Sequence, residues 1–89
     1  MQTRPRHHKP RNPGLAAALA VIGGQNALAR AIGRKQASVW EWANKTGRVS
    51  AEDAVKIEGA TGVPAEAING ALAEFAAMRG LPVRQAKAA

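Results

Sequence analysis

The apolar positions of this chain recur with helical spacing in five stretches, each closed by glycine or proline. Leu15, Leu19 and Ile22 stand at i, i+4 and i+7, and Gly23-Gly24 ends that run. Leu28 and Ile32 mark a second helix opening at Gln25, with Gly33 as the turn. A third covers about Lys35 to Ala43, anchored by Val39 and Trp42, and ends by Gly47. Ser50-Ala51-Glu52-Asp53 has the form of a capping box and starts a fourth, whose buried stripe is Ala54, Ile57 and Thr61 before Gly62. Pro64 suits the first position of a fifth. That helix places Ile68, Ala71, Leu72, Phe75 and Met78 on one face until Gly80-Leu81-Pro82 stops it. The expected fold is all-α, a single compact helix-turn-helix domain of about five short helices over residues 14–80. The tail over 81–89 is expected to fray. Residues 1–13 hold Pro5, Pro10, Pro13, His7, His8 and four basic residues with almost nothing apolar, so they predict a disordered basic arm.

Composition supports the all-helical reading. Aromatics make up only 3% of the chain while alanine recurs throughout, which suits closely spaced helices and disfavours strands. The 89 residues suit one modest core and no second domain. Without cysteine there is neither a disulfide framework nor a thiolate metal site. No uninterrupted apolar run reaches the length of a membrane span, and no signal-peptide core follows the N-terminal charges. A cytoplasmic place on the nucleoid is expected.

Charge adds a direction. The net charge of +7 favours a polyanionic partner, although a plain solubility surplus is the alternative. Arg4, Arg6, Lys9, Arg11, Arg30, Arg34, Lys35, Lys45 and Arg48 all precede residue 50, where Glu41 is the single acid. Glu52, Asp53, Glu58, Glu66 and Glu74 lie in the other half. The basic half contains the second and third helices, whose polar positions suit phosphates and base edges: Gln25, Arg34, Lys35, Gln36, Ser38 and Glu41. That is the arrangement of a helix-turn-helix, whose second helix enters the major groove of DNA.

Gln25 sits at a helix start, where free N–H groups and the dipole favour an anion; a simple exposed cap is the alternative. Glu41 either accepts from cytosine N4 or turns aside to Lys45 in an i,i+4 pair worth only about 0.2–0.5 kcal/mol. Trp42 shares the core face with Val39. Trp40 lies about 100° away from either neighbour and cannot share it. It is left to meet a phosphate or to cover the fourth helix. Lys45 and Arg48 follow the third helix and are placed to clamp phosphates, or are merely solvated.

The order of these helices, with Gln25 opening the second, Leu28-Ala29 within it, Gly33 at the turn and Gln36 opening the third, resembles the Cro and lambda-repressor type of phage regulators. The segments Gly23-Gly24-Gln25, Ala27-Leu28-Ala29, Val39-Trp40-Glu41-Trp42, Gly47-Arg48-Val49 and Ile57-Glu58-Gly59-Ala60-Thr61-Gly62 resemble more narrowly the YdaS group. Members of that group are Cro-like prophage proteins labelled antitoxins. The resemblance spans about residues 14–63 and implies a lambda-repressor-like fold and a sequence-specific regulator, a repressor of a phage or prophage operon. It sets Gln36 and Ala37 against base edges, with Ser38 and Glu41 beside them. It brings Trp40 to the DNA backbone, where the residues themselves also place Gln25, Arg34, Lys35, Lys45 and Arg48 as expected phosphate contacts. Arg34-Lys35 departs from the group's usual apolar residue and Ser or Thr, and a full amphipathic helix replaces its short tail.

A recognition helix reads only a few base pairs, so a homodimer on a palindrome is expected, with Ile68, Leu72 and Phe75 as its surface. A fifth helix packed wholly on its own core is the alternative. The rival function is an antitoxin-like interaction module that grips a toxin or other regulatory protein and binds DNA only for autoregulation. Catalysis is not expected: the chain holds no cysteine, no P-loop and no paired carboxylates beside a histidine. No cofactor is expected. His7-His8 lacks the further ligands of a structural metal site. Asp53 and Glu58 read as a cap and a solvated helix face.

Overall fold

Asn12 is where the folded domain begins. In the computed structural model, which describes residues 11–85, its side chain caps α1 (Pro13–Ile22) by accepting from the Leu15 N–H at 2.9 Å. Its Nδ2 donates to the carbonyls of Ile68 at 2.7 Å and Gly47 at 3.1 Å. One buried amide therefore ties the chain start to two distant turns, and the edge of the expected arm moves back: residues 11–13 belong to the domain. Residues 1–10, on which the rest of that expectation falls, lie outside the described residues, as do 86–89 of the tail.

Gly23 takes φ +97 and closes α1, and the chain turns by 91° into α2 (Gln25–Ile32). Gly33 ends α2 in the left-handed region, and α3 (Gln36–Glu41) follows after two residues. Its continuation is a π-helical turn over Trp42–Thr46, closed by the Gly47 N–H to the Trp42 carbonyl at 3.0 Å. The Ser50 hydroxyl caps α4 (Ala51–Thr61) through the Asp53 N–H, as the capping-box pattern predicts. Among the described residues there is no strand, and no single helix is long and apolar enough to cross a membrane.

Leu15, Leu28, Val39 and Ile57, one from each of α1 to α4, are the largest fully buried side chains. Each contributes about 1.5–3 kcal/mol by leaving water. Ala18, Ala29 and Ala54 let the helices approach, while Val49 and Val63 fill in from the connecting turns and Ile68 from the end of the next short helix. Trp42 packs against this cluster from its edge. At Gly14 a Cβ would overlap the Ala67 carbonyl, so α1 can lie this close to α5 (Ala65–Ile68) only because position 14 has no side chain.

The expected fifth helix is two. Asn69 leaves the helical region (φ −122, ψ 111), its Nδ2 donating to the Val49 carbonyl at 2.7 Å. Its Oδ1 accepts from the N–H groups of Ala71 and Leu72, starting α6 (Gly70–Met78) afresh. The break rotates α6, so the expected single stripe is divided. Ile68 is buried at 3% exposure, Leu72 and Ala76 face inward, and Phe75 is 56% exposed. A surface built on Ile68, Leu72 and Phe75 together is thereby corrected, since Ile68 is core.

The tail does not fray up to residue 85. Gly80, at φ +71, and Leu81 donate back to Ala77 and Ala76 in a Schellman turn. Arg84 then reaches Glu66 through Nε and Nη2 at 2.8 and 2.6 Å, and Glu58 through Nη1 and Nη2 at 2.8 and 3.0 Å. Glu58 also accepts from the Ala65 N–H, so it is a cap and a strap anchor rather than a solvated residue. Paired with Arg84, the Glu66 carboxyl is pulled down to about 2, and Glu58 is lowered by Arg84 and the Ala65 N–H.

Candidate nucleic-acid interface

The α2–α3 unit buries one face and leaves another bare. Leu28, Ala29 and Ile32 of α2 and Val39 of α3 enter the core. On α3, Gln36, Ala37, Trp40 and Glu41 are exposed on one face, with Ser38 half-buried beside them. The helical period alone places 36, 37, 40 and 41 together opposite Val39. Trp40, at 46% exposure, faces solvent.

Gln25 and Gln36 meet. Gln36 donates from Nε2 to Oε1 of Gln25 at 3.3 Å, joining the first residue of α2 to the first of α3. Neither helix has a side-chain cap at its start, unlike α1, α4 and α6, so their leading N–H groups are open to an external acceptor. Lys35 at the start of α3, and Lys45 and Arg48 beyond its far end, are exposed and form no ion pair among the described residues, nor does Arg30.

Arg34 behaves differently. Its Nε and Nη2 both donate to the Asp53 carboxylate at 3.0 Å, a bidentate pair between the α2–α3 turn and α4. Asp53 is 3% exposed and also accepts from the Ser50 hydroxyl at 3.1 Å. The fork that would hold a phosphate holds α4 instead, so Arg34 acts first as a clamp. Sequence spacing carried no sign of this pair, because the partners stand 19 residues apart. Glu41 and Lys45 do not pair among the described residues. The π turn adds a residue to the helical repeat and takes Lys45 out of i,i+4 alignment.

Two residues of this surface escaped the sequence reading. Asn44 donates to the Trp40 carbonyl at 3.0 Å, and its own carbonyl accepts from Arg11 Nε at 3.0 Å. Arg11 is thus held against the π turn that follows α3, instead of extending away as part of a disordered arm. Among the described residues no cluster of His, Asp and Glu is placed to hold a metal ion, and His7 and His8 lie outside them.

No curated protein and no solved structure matches the chain. A family model does, over residues 15–67, and its description is bacterial toxin YdaS. The matched stretch runs from α1 through most of α5 and includes the whole α2–α3 unit, while α6 and the Arg84 strap lie beyond it. With more than half its length matched and its helices in a Cro-like order, the chain belongs to the YdaS family.

Proposed function

We propose that this protein is a sequence-specific DNA-binding regulator, a repressor of phage or prophage type, that inserts α3 into the major groove. The observation that carries the reading is the Gln25–Gln36 bridge at two uncapped helix starts. A phosphate at the α2 start accepts from open N–H groups and from the Gln25 amide, while the bridge holds the Gln36 amide toward a base edge. Glutamine in that position pairs bidentately with adenine. Ala37 offers a methyl to thymine, and Ser38 and Glu41 lie within the same helix. Lys35, Trp40, Lys45 and Arg48 set the register through the backbone, Trp40 by its indole N–H. Arg34 contributes through Asp53 by fixing the turn. The role is non-catalytic and cytoplasmic, and needs no cofactor.

A second reading keeps the same fold and gives it a protein partner. The sequence resemblance implied an antitoxin, whereas the family description names a toxin. Either role needs an exposed partner surface, and the outer side of α6 supplies one.

Binding to duplexes selected from a random pool separates base reading from phosphate contact. Gln36→Ala is expected to lose about 1–3 kcal/mol of discrimination at one base pair, with non-specific affinity little changed. Lys45→Ala is expected to weaken all sequences alike and reduce the salt slope by about one. Uniform weakening by both substitutions would remove α3 from the reading role.

A further inference from the structure

We propose that the outer face of α6 is a self-association surface, on which a second copy of this chain packs in parallel about a two-fold axis parallel to that helix. Leu72 and Ala76 turn inward and rest α6 on the bundle. A second side, about 110° round the helix, carries Ala71, Phe75 and Met78, all exposed and spaced by four and three residues as at the d, a and d positions of a heptad. Phe75 and Met78 are 56% and 83% exposed.

Charge selects the occupant and its direction. Glu74 and Arg79 flank this stripe on opposite sides, five residues apart, at g and the following e. In a parallel pair, Glu74 of one copy meets Arg79 of the second, and the reciprocal pair forms across the axis. An antiparallel pair would instead set Glu74 against Glu74 and Arg79 against Arg79. The Arg79 guanidinium already lies over the Phe75 ring, 5.5 Å from its centroid, at the rim of the stripe. A nine-residue helix offers little more than one heptad, less than a standard interface of about 1,200–2,000 Å². The free dimer is therefore reversible and concentration dependent. This surface replaces the Ile68-centred one, and it stands whether or not α3 reads DNA.

The chain has no cysteine, so Ala71→Cys and Met78→Cys each introduce a single thiol at an exposed position of the full-length protein. Mild oxidation is expected to link both variants into covalent dimers, because in parallel register each position faces its own copy within the roughly 7 Å Cα separation a disulfide tolerates. The two sites lie about 10 Å apart along the helix, so an antiparallel pair cannot bring both onto its axis. Linking at one site or neither overturns the parallel pair. Equal linking of Val55→Cys, on exposed α4, would indicate collision and overturn it as well.

Sedimentation of the free protein tests the charge pattern. Glu74→Arg alone and Arg79→Glu alone are each expected to weaken association about fivefold, with the double swap restoring it. No rescue, or a full-length chain that stays monomeric at every concentration, overturns self-association and leaves α6 to a different protein. Neither result bears on duplex binding, which is measured separately.

Discussion

The two ends of this small domain treat charge and helix termini in opposite ways. From α4 to residue 84, Asp53 is held by Arg34, Glu52 by Lys56 at 3.6 Å, and Glu58 and Glu66 share Arg84. Helix starts outside the α2–α3 unit are closed by Asn12, Ser50, Glu58 and Asn69. At the α2–α3 end, the starts have no side-chain cap, and Arg30, Lys35, Lys45 and Arg48 form no ion pair among the described residues. Four of the five acids there, all but Glu74, are paired within the fold among the described residues, while the cations near α3 are left to something outside it. Exposed isolated charges do little for folding, so a bare basic end costs the domain little stability. The difference separates the part of the chain that builds the bundle from the part suited to a polyanion.

The strongest way to break this contrast is salt. If Arg11, Arg30, Lys35, Lys45 and Arg48 each neutralise a phosphate, the log–log slope is about −4.5 per subunit. Affinity for a mixed-sequence duplex is then expected to fall about 500-fold between 50 and 200 mM salt. Fluorescence anisotropy across that range measures it, and a flat response would remove the electrostatic role of the bare end.

Gly14→Ala strikes the other end. Its new methyl would meet the Ala67 carbonyl in the backbone of α5, which cannot give way as a side chain can. Overpacking of this kind costs about 1–3 kcal/mol, and the upper figure is expected here. Urea unfolding reads it directly; an unchanged midpoint would mean α1 and α5 do not approach so closely.

A crossed pair of substitutions sharpens the division. Lys45→Ala is expected to leave stability within about 0.5 kcal/mol while changing the salt slope. Arg84→Gln should lower the unfolding midpoint and leave the slope as it was. The smallest effect concerns acid. Glu66 is held at about 2 in the fold against an ordinary 4.5, so the unfolded chain binds its proton more readily. Its contribution is complete above pH of about 4.5 and is lost as pH falls from there toward 2. Unfolding midpoints over that range should decline less steeply in Arg84→Gln than in the parent chain.

Local spacing was enough to determine the all-α class, the first four helices to within one or two residues, and the exposed residues of α3. The reason is that 3.6-residue periodicity, glycine at positive φ and a Ser–x–x–Asp cap act within a few positions of one another. The same spacing put Val39 and Trp42 on the core side, and Trp40 off it. Only the tertiary structure decided that Asn12 is buried, that Arg34 clamps Asp53, that Asn69 breaks the last helix toward Val49, and that Arg84 straps Glu58 to Glu66. Each of these joins residues 18 or more positions apart. A polar side chain has the same local signature whether it meets solvent or a distant carbonyl. Which of them it meets is settled when the helices pack.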